Sequence, residues 1–188
     1  MTHVTIVASP TAPAPVLQGD FIWKDEAACA TLADRLAGHL RSALQAGGSR
    51  YIELHGTLGA GKTTFTRHLL RALGVQGRIK SPSYAVVELH ELPDMAIHHF
   101  DFYRFNDPQE WEDAGFRDLF AAPGLKLAEW PEKATGLLPL ADLQIHIQTP
   151  LSADSEQRTV RIQALSAAGR DALTALQPLE LTEERAHG

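Results

Sequence analysis

Apolar residues recur at every fourth position through Ala28, Leu32, Leu36, Leu40 and Leu44. This spacing predicts an amphipathic helix over residues 25–45. Asp25 can cap its start, and Gly47-Gly48 ends it. Tyr51-Ile52-Glu53-Leu54-His55 reads as a short strand. A second helical stripe, Phe65, Leu69 and Leu73, follows and stops at Gly74 and Gly77. Residues 84–89 and 95–101 read as strands joined by the short Leu92-Pro93-Asp94 link, which predicts an antiparallel hairpin. Asp107-Pro108 has the signature of a short helix start, with Asp as cap and Pro at the first position. Residues 115–120 form another helical turn. Further strands are predicted at 21–23, 125–128, 143–147 and 159–164, with a closing helix at 167–176. The first 19 residues contain Pro10, Pro13 and Pro15 and read as a loose extension. Residues 181–188 read as a fraying tail, leaving one domain over 20–180. The pattern predicts an α/β fold of three layers, with a mixed, partly parallel central sheet between helices.

Between the strand at 51–55 and the helix after it lies Gly56-Thr-Leu-Gly-Ala-Gly-Lys-Thr63, a complete G-x-x-x-x-G-K-[ST] Walker A sequence. Strand, glycine loop and helix in that order gather backbone N–H groups and a helix N-terminus around one point, where a phosphate chain can sit. Gly56, Gly59 and Gly61 allow tight turning and close approach. Gly59, Ala60, Gly61 and Thr64 belong to the same cradle. Lys62 suits the β- and γ-phosphates, and the Thr63 hydroxyl suits Mg²⁺.

Such a loop needs an acid at the end of a neighbouring strand, because ligands of open α/β sheets collect there. Asp101 and Glu129 are the candidates, for holding Mg²⁺ or orienting an attacking water. Ser83 lies in a loop that can cover the nucleotide and sense its γ-phosphate. His98 and His99 read as structural histidines, since no third ligand is spaced beside them to complete a zinc site. Arg104 can neutralise phosphate or form a surface ion pair. Arg67, Arg71, Arg78 and Lys80 form a basic cluster that reads as a solvated face, with docking to RNA or an acidic partner as the alternative. No Asn-Lys-x-Asp sequence supports guanine recognition.

Composition narrows the class. The chain has 188 residues, 44% of them hydrophobic and 21% charged, as expected of a globular protein. Its only cysteine, Cys29, permits no internal disulfide and fits a reducing cytoplasm. Cys29 falls in a helix and reads as a buried structural thiol. The sequence shows neither a secretory signal nor a bilayer-spanning run. A net charge of −6 argues against a stand-alone nucleic-acid binder.

Four ordered segments together resemble one family: GTLGAGKTTFTRHLLRALGV from Gly56, SPSYAVVE from Ser81, HHFDFYRFNDPQEWEDAG from His98 and LAEWPE from Leu127. This looks like TsaE (also called YjeE), the P-loop ATPase of bacterial tRNA threonylcarbamoyladenosine synthesis. The resemblance implies a P-loop NTPase-like fold and binding of ATP and Mg²⁺. It also implies weak ATP hydrolysis in support of TsaB and TsaD, which install threonylcarbamoyl on adenosine 37 of tRNAs reading codons that begin with A. TsaE proteins do not transfer the group, and contact tRNA indirectly or within the complex. A cytoplasmic protein, monomeric alone and without a membrane partner, is expected. By the same resemblance Lys62 matches the loop lysine, and Thr63 and Glu129 the Mg²⁺ ligands. Asp101 matches the acid of the His-x-Asp-x-Tyr-Arg segment, with Ser83 where the family usually has Thr. Trp130 matches an aromatic near the nucleotide, and Glu26 a segment bordering it. The departure is Thr57, where the family usually has Asp. Two other readings remain open: a nucleotide-dependent interaction switch with incidental hydrolysis, and a small-molecule P-loop kinase.

Overall fold

A computed structural model of the chain describes residues 17–107, 111–112, 114–150 and 156–177. Seven strands form one sheet: β1 (Leu17–Trp23), β2 (Ser49–His55), β3 (Val87–Leu92), β4 (Met95–Asp101), β5 (Gly124–Glu129), β6 (Leu143–Gln148) and β7 (Arg158–Ala164). Their order is β1-β7-β6-β2-β5-β4-β3. The inner strands β6, β2, β5 and β4 run parallel. The outer pairings β1–β7, β6–β7 and β3–β4 are antiparallel. The sheet is thus mixed, and its β3–β4 edge is the hairpin that the short link predicts.

Among the described residues it is accompanied by α-helices α1 (Glu26–Gln45), α2 (Lys62–Leu73), α3 (Phe116–Ala121) and α4 (Ala167–Leu176). A short 3-10 turn spans Pro131–Ala134. Strand alternation divides the core in two. On one face Ile52, Leu54, Leu125, Leu127, Ile145 and Ile162 pack with α1, α2 and α4. On the other, Tyr51, Phe100 and Ala128 pack with Phe102, Phe105, Trp111 and Phe116. The predicted stripe of α2 is inside, with Phe65 and Leu69 fully buried and Leu73 at 2% exposure.

The helix ends are tied down locally. Asp25 Oδ1 accepts from the Ala28 N–H at 2.8 Å, and Ser166 Oγ from the Gly169 N–H at 3.0 Å. Two arginines of α1 satisfy carbonyls at the ends of its neighbours. Arg41 donates to Ala72 O at 2.5 Å, and Arg35 to Ala175 O and Gln177 O at 2.9 Å. The Arg41 bond ties down the far end of α2, whose N-terminus carries the phosphate loop.

Two elements depart from the sequence reading. Strand β1 begins at Leu17, four residues before Phe21, because Leu17–Trp23 pairs along its whole length with β7. Three residues assigned to the extension therefore belong to the sheet. Strand β3 begins at Val87 and runs through Leu92, so Tyr84 lies outside it. The cause is Val86, which adopts a left-handed φ of 65° while its carbonyl accepts the Asp101 N–H at 2.8 Å. The chain turns there before joining the sheet. Pro108, the first position of the helix expected after Asp107, the first 16 residues and the tail beyond 177 lie outside the described residues. No helix among the described residues is long and apolar enough to cross a membrane.

Candidate nucleotide site

Strands β2, β5 and β4 lie side by side in parallel, so their carboxyl ends share one edge of the sheet. In register, Leu54 faces Glu129 and Glu129 faces Asp101. The phosphate loop leaves β2 at that edge and enters α2. Its first glycine tolerates no side chain. Gly56 has φ of +147°, and a Cβ there would lie 2.4 Å from the Ile147 carbonyl oxygen. Gly61, at φ +112°, turns the chain into the helix.

The loop surrounds its own lysine. Lys62 is 4% exposed, and its Nζ donates to Gly56 O at 2.6 Å and to Thr57 O at 3.0 Å. The same Nζ lies 3.7 Å from the ring centroid of Trp130. Burial lowers the Lys62 pKa, against the opposing pull of Glu129, Glu132 and Asp101. Trp130 reaches the lysine from a left-handed conformation, φ 58°, unusual for a bulky residue. Tyr103 packs against the Trp130 ring, with centroids 5.0 Å apart.

The oxygen ligands meet beside this lysine. Thr63 Oγ1 donates to Glu129 Oε2 at 2.9 Å. The other carboxylate oxygen, Oε1, contacts His99 Nε2 at 2.9 Å. Both partners are buried, Glu129 at 2% and His99 at 0% exposure. Asp101 is also buried and serves the covering loop. Its Oδ2 accepts from Ser83 Oγ at 2.8 Å and from Ser81 Oγ, while Oδ1 accepts the Tyr103 N–H at 2.9 Å. The Ser81–Ser83 loop is therefore latched onto an acid at the end of β4.

A cleft of about 380 Å³ opens here, bounded by Gly59, Lys62, Thr63, Ser83, Asp101 and Glu129, with Trp130 at its side. A second cleft of about 250 Å³ lies across the loop and shares Gly59, Ala60, Gly61 and Thr64 with the first. Asp25, Glu26, Cys29 and Arg158 line it. The residues predicted to hold nucleotide and metal, Gly59 to Thr64, Ser83, Asp101, Glu129, Trp130 and Glu26, thus border one of two clefts flanking a single loop. Glu26 lies on the second only, and its Oε1 is 2.9 Å from His68 Nε2.

A sequence model for "Threonylcarbamoyl adenosine biosynthesis protein TsaE" matches residues 23–160. The chain belongs to the TsaE family. It is 48% identical over 96 residues to the tRNA threonylcarbamoyladenosine biosynthesis protein TsaE of Haemophilus influenzae, covering 51% of this chain and 61% of that protein. It is 33% identical over 114 residues to the protein of the same name from Bacillus subtilis, covering 61% and 69%. The chain thus spans under two thirds of the first of these relatives. The crystal structure of YdiB from Bacillus subtilis superposes with a TM-score of 0.67 at 23% identity, over 87% of this chain and 97% of that one. This likeness supports the P-loop NTPase-like fold.

Within the TsaE frame, other predicted residues lie elsewhere. Arg104 sits over the Tyr84 ring at 4.4 Å and borders the first cleft. Arg67, Arg71, Arg78 and Lys80 border neither cleft. Thr57 is exposed and contributes its carbonyl, which accepts from Lys62 and from the Ala60 N–H. Sequence reasoning missed Ser81, Tyr103 and the His99–Glu129 contact. All lie inside the quoted SPSY, HHFDFYR and LAEWPE segments, but only the fold reveals which side chains meet.

Proposed function

We propose that the protein binds ATP with Mg²⁺ in these two clefts and hydrolyses it weakly, as an accessory to threonylcarbamoylation of adenosine 37 in tRNAs reading codons that begin with A. The observation that carries this reading is the Thr63–Glu129 hydrogen bond beside Lys62, at the mouth of a phosphate loop. A hydroxyl and a carboxylate are the hard oxygen donors that Mg²⁺ takes, so the residues present fit the ion. When bound, Mg²⁺ would neutralise charge on the β- and γ-phosphates. Lys62 would leave the Gly56 and Thr57 carbonyls for the phosphate oxygens, with loop N–H groups holding the rest of the chain. Asp101, and Ser83 on its latch, would face the terminal phosphate and orient the attacking water. The second cleft, with Glu26 at its edge, would take the ribose and base.

TsaB and TsaD are the proposed partners, in the cytoplasm, and the protein itself does not transfer the threonylcarbamoyl group. The test is ATP hydrolysis by the protein alone and with TsaB and TsaD, with Lys62→Ala as control. Lys62-dependent stimulation by the partners supports the reading, and its absence with tRNA also present counts against it. Glu129→Ala should reduce turnover about a hundredfold while sparing ATP binding.

The serine latch on Asp101 favours one second reading, a switch whose loop responds to nucleotide while hydrolysis is incidental. A non-hydrolysable ATP analogue that sustained repeated rounds of tRNA modification would support it.

A further inference from the structure

Behind the nucleotide site, on the edge hairpin, three potential metal ligands converge. Glu88 and His90 are two residues apart on β3, so they project from the same face. His99 on β4 stands directly opposite Glu88 in the antiparallel register. One ligand atom from each of the three lies within 4.8 Å of the other two. Nothing within either strand's own sequence shows this, because the third ligand arrives through strand pairing. The sequence reading sought a third ligand only along the chain; the fold brings Glu88 and His90 to His99, while His98 projects from the opposite face of β4.

Two of the ligand atoms are unpartnered. His99 Nδ1 and His90 Nε2 are buried without a hydrogen-bond partner among the described residues. His99 is completely buried, and its other nitrogen is already committed. Nε2 meets Glu129 Oε1 at 2.9 Å, and a carboxylate can only accept, so Nε2 carries the proton. That tautomer leaves the Nδ1 lone pair free. A histidine that donates one N–H to a carboxylate while the other nitrogen holds a lone pair is the usual preparation of a metal ligand. His90 Nε2 lies 4.0 Å from Glu88 Oε2, too far for a hydrogen bond but close enough for one ion to bridge. The Glu88 side chain is 42% exposed, which gives an ion a route in.

We propose that Glu88, His90 and His99 bind one divalent transition-metal ion of the zinc class, separate from the nucleotide's Mg²⁺. Two imidazoles and one carboxylate are the donors that zinc accepts, and imidazole disfavours Mg²⁺. Three protein ligands leave a fourth position open. Bonds of about 2.1 Å would draw the ligand atoms to roughly 3.4 Å from one another, a contraction of about an ångström that a hairpin at the sheet edge can make. The ion would hold His99 in the tautomer that supports Glu129, linking this site to the Mg²⁺ ligand.

The experiment is Zn²⁺ titration of the full chain, stripped of metal and free of nucleotide, in competition with a chromophoric chelator. The wild type should bind one equivalent. His90→Phe and Glu88→Gln should each lower the affinity tenfold or more, with ATP binding unchanged. Zn²⁺ should raise the melting temperature of the wild type and leave that of both variants unmoved. If His90→Phe does not fold, Glu88→Gln at the half-exposed position carries the comparison. Uptake that survives in both variants, uptake abolished instead by His68→Ala at the Glu26–His68 pair, or no uptake by the wild type overturns the proposal.

Discussion

Lys62 is held ready by two carbonyls and a ring, none of which a phosphate-binding lysine needs once nucleotide arrives. Charge-assisted hydrogen bonds of the kind it would make to phosphate are worth about 1.5–3 kcal/mol. Lys62→Ala should therefore weaken ATP binding by roughly 10–150-fold, measured by calorimetry. Thr57 is a different case. Its side chain is exposed, and its hydrogen bonds to Lys62 and Ala60 come from the backbone. Thr57→Asp should change ATP affinity by less than about twofold, because backbone N–H groups and Lys62 carry the phosphate. A larger change in the same calorimetric assay would mean that the acid reaches metal or nucleotide. Cys29 is the simplest residue to test. Burial, with Glu26 adding to it, pushes its thiol up to about 12. A thiol reagent should label it only after denaturation.

Among the elements, the phosphate loop owes its path to strand β6 as well as to its own glycines. A methyl at Gly56 would strike the Ile147 carbonyl, whereas one at Gly59, φ +78°, would meet nothing within 4 Å. Gly56→Ala should cost about 2–4 kcal/mol in urea unfolding and Gly59→Ala about 1–2 kcal/mol. Equal costs would show that backbone conformation alone governs the loop. This contrast is invisible in the sequence, where the two glycines look alike. Helices α1 and α2 were legible because their apolar stripes recur at every fourth residue. The start of β3 was not, because Tyr84, Ala85 and Val86 have strand-like composition but are held in a turn, with the Val86 N–H donating to Pro82 O and its carbonyl accepting the Asp101 N–H. Nor was the His99–Glu129 contact, which depends on two strands far apart in sequence lying side by side.

Over the whole molecule, buried ionisable groups set the response to acid. Burial lowers the pKa of His98, with Lys126 adding to it, and of His146, with His55 adding to it. Below their unfolded value near 6.5 the unfolded chain binds protons that the folded chain refuses. Their contribution is fully present above about pH 6.5 and is lost as pH falls below it. Glu53 acts lower on the scale. Burial works to raise it, but hydrogen bonds from His55, Gln144 and Tyr51 outweigh that and hold it below its ordinary 4.5. Its contribution is present above that value and is lost as pH falls through the depressed one. The melting temperature should be flat from pH 7 to 8, decline below about 6.5 and fall again below about 4.5. A melting temperature that rose between pH 6.5 and 5.5 would contradict the burial of these histidines.

The fold class, the phosphate loop and its acids could be read from the chain because each rests on local order: a strand, eight residues, a helix. The first cleft could not, since it arises from the packing of Trp130, Tyr103 and the Ser81–Ser83 latch around that loop. The measurement that bears most directly on the account is the threonylcarbamoyladenosine content of tRNA in a bacterial strain depleted of its own TsaE and supplied with this protein. The wild-type chain should restore the modified nucleoside, and Lys62→Ala at equal abundance should not. Full restoration by Lys62→Ala would contradict the claim that nucleotide bound in this cleft drives the protein's role.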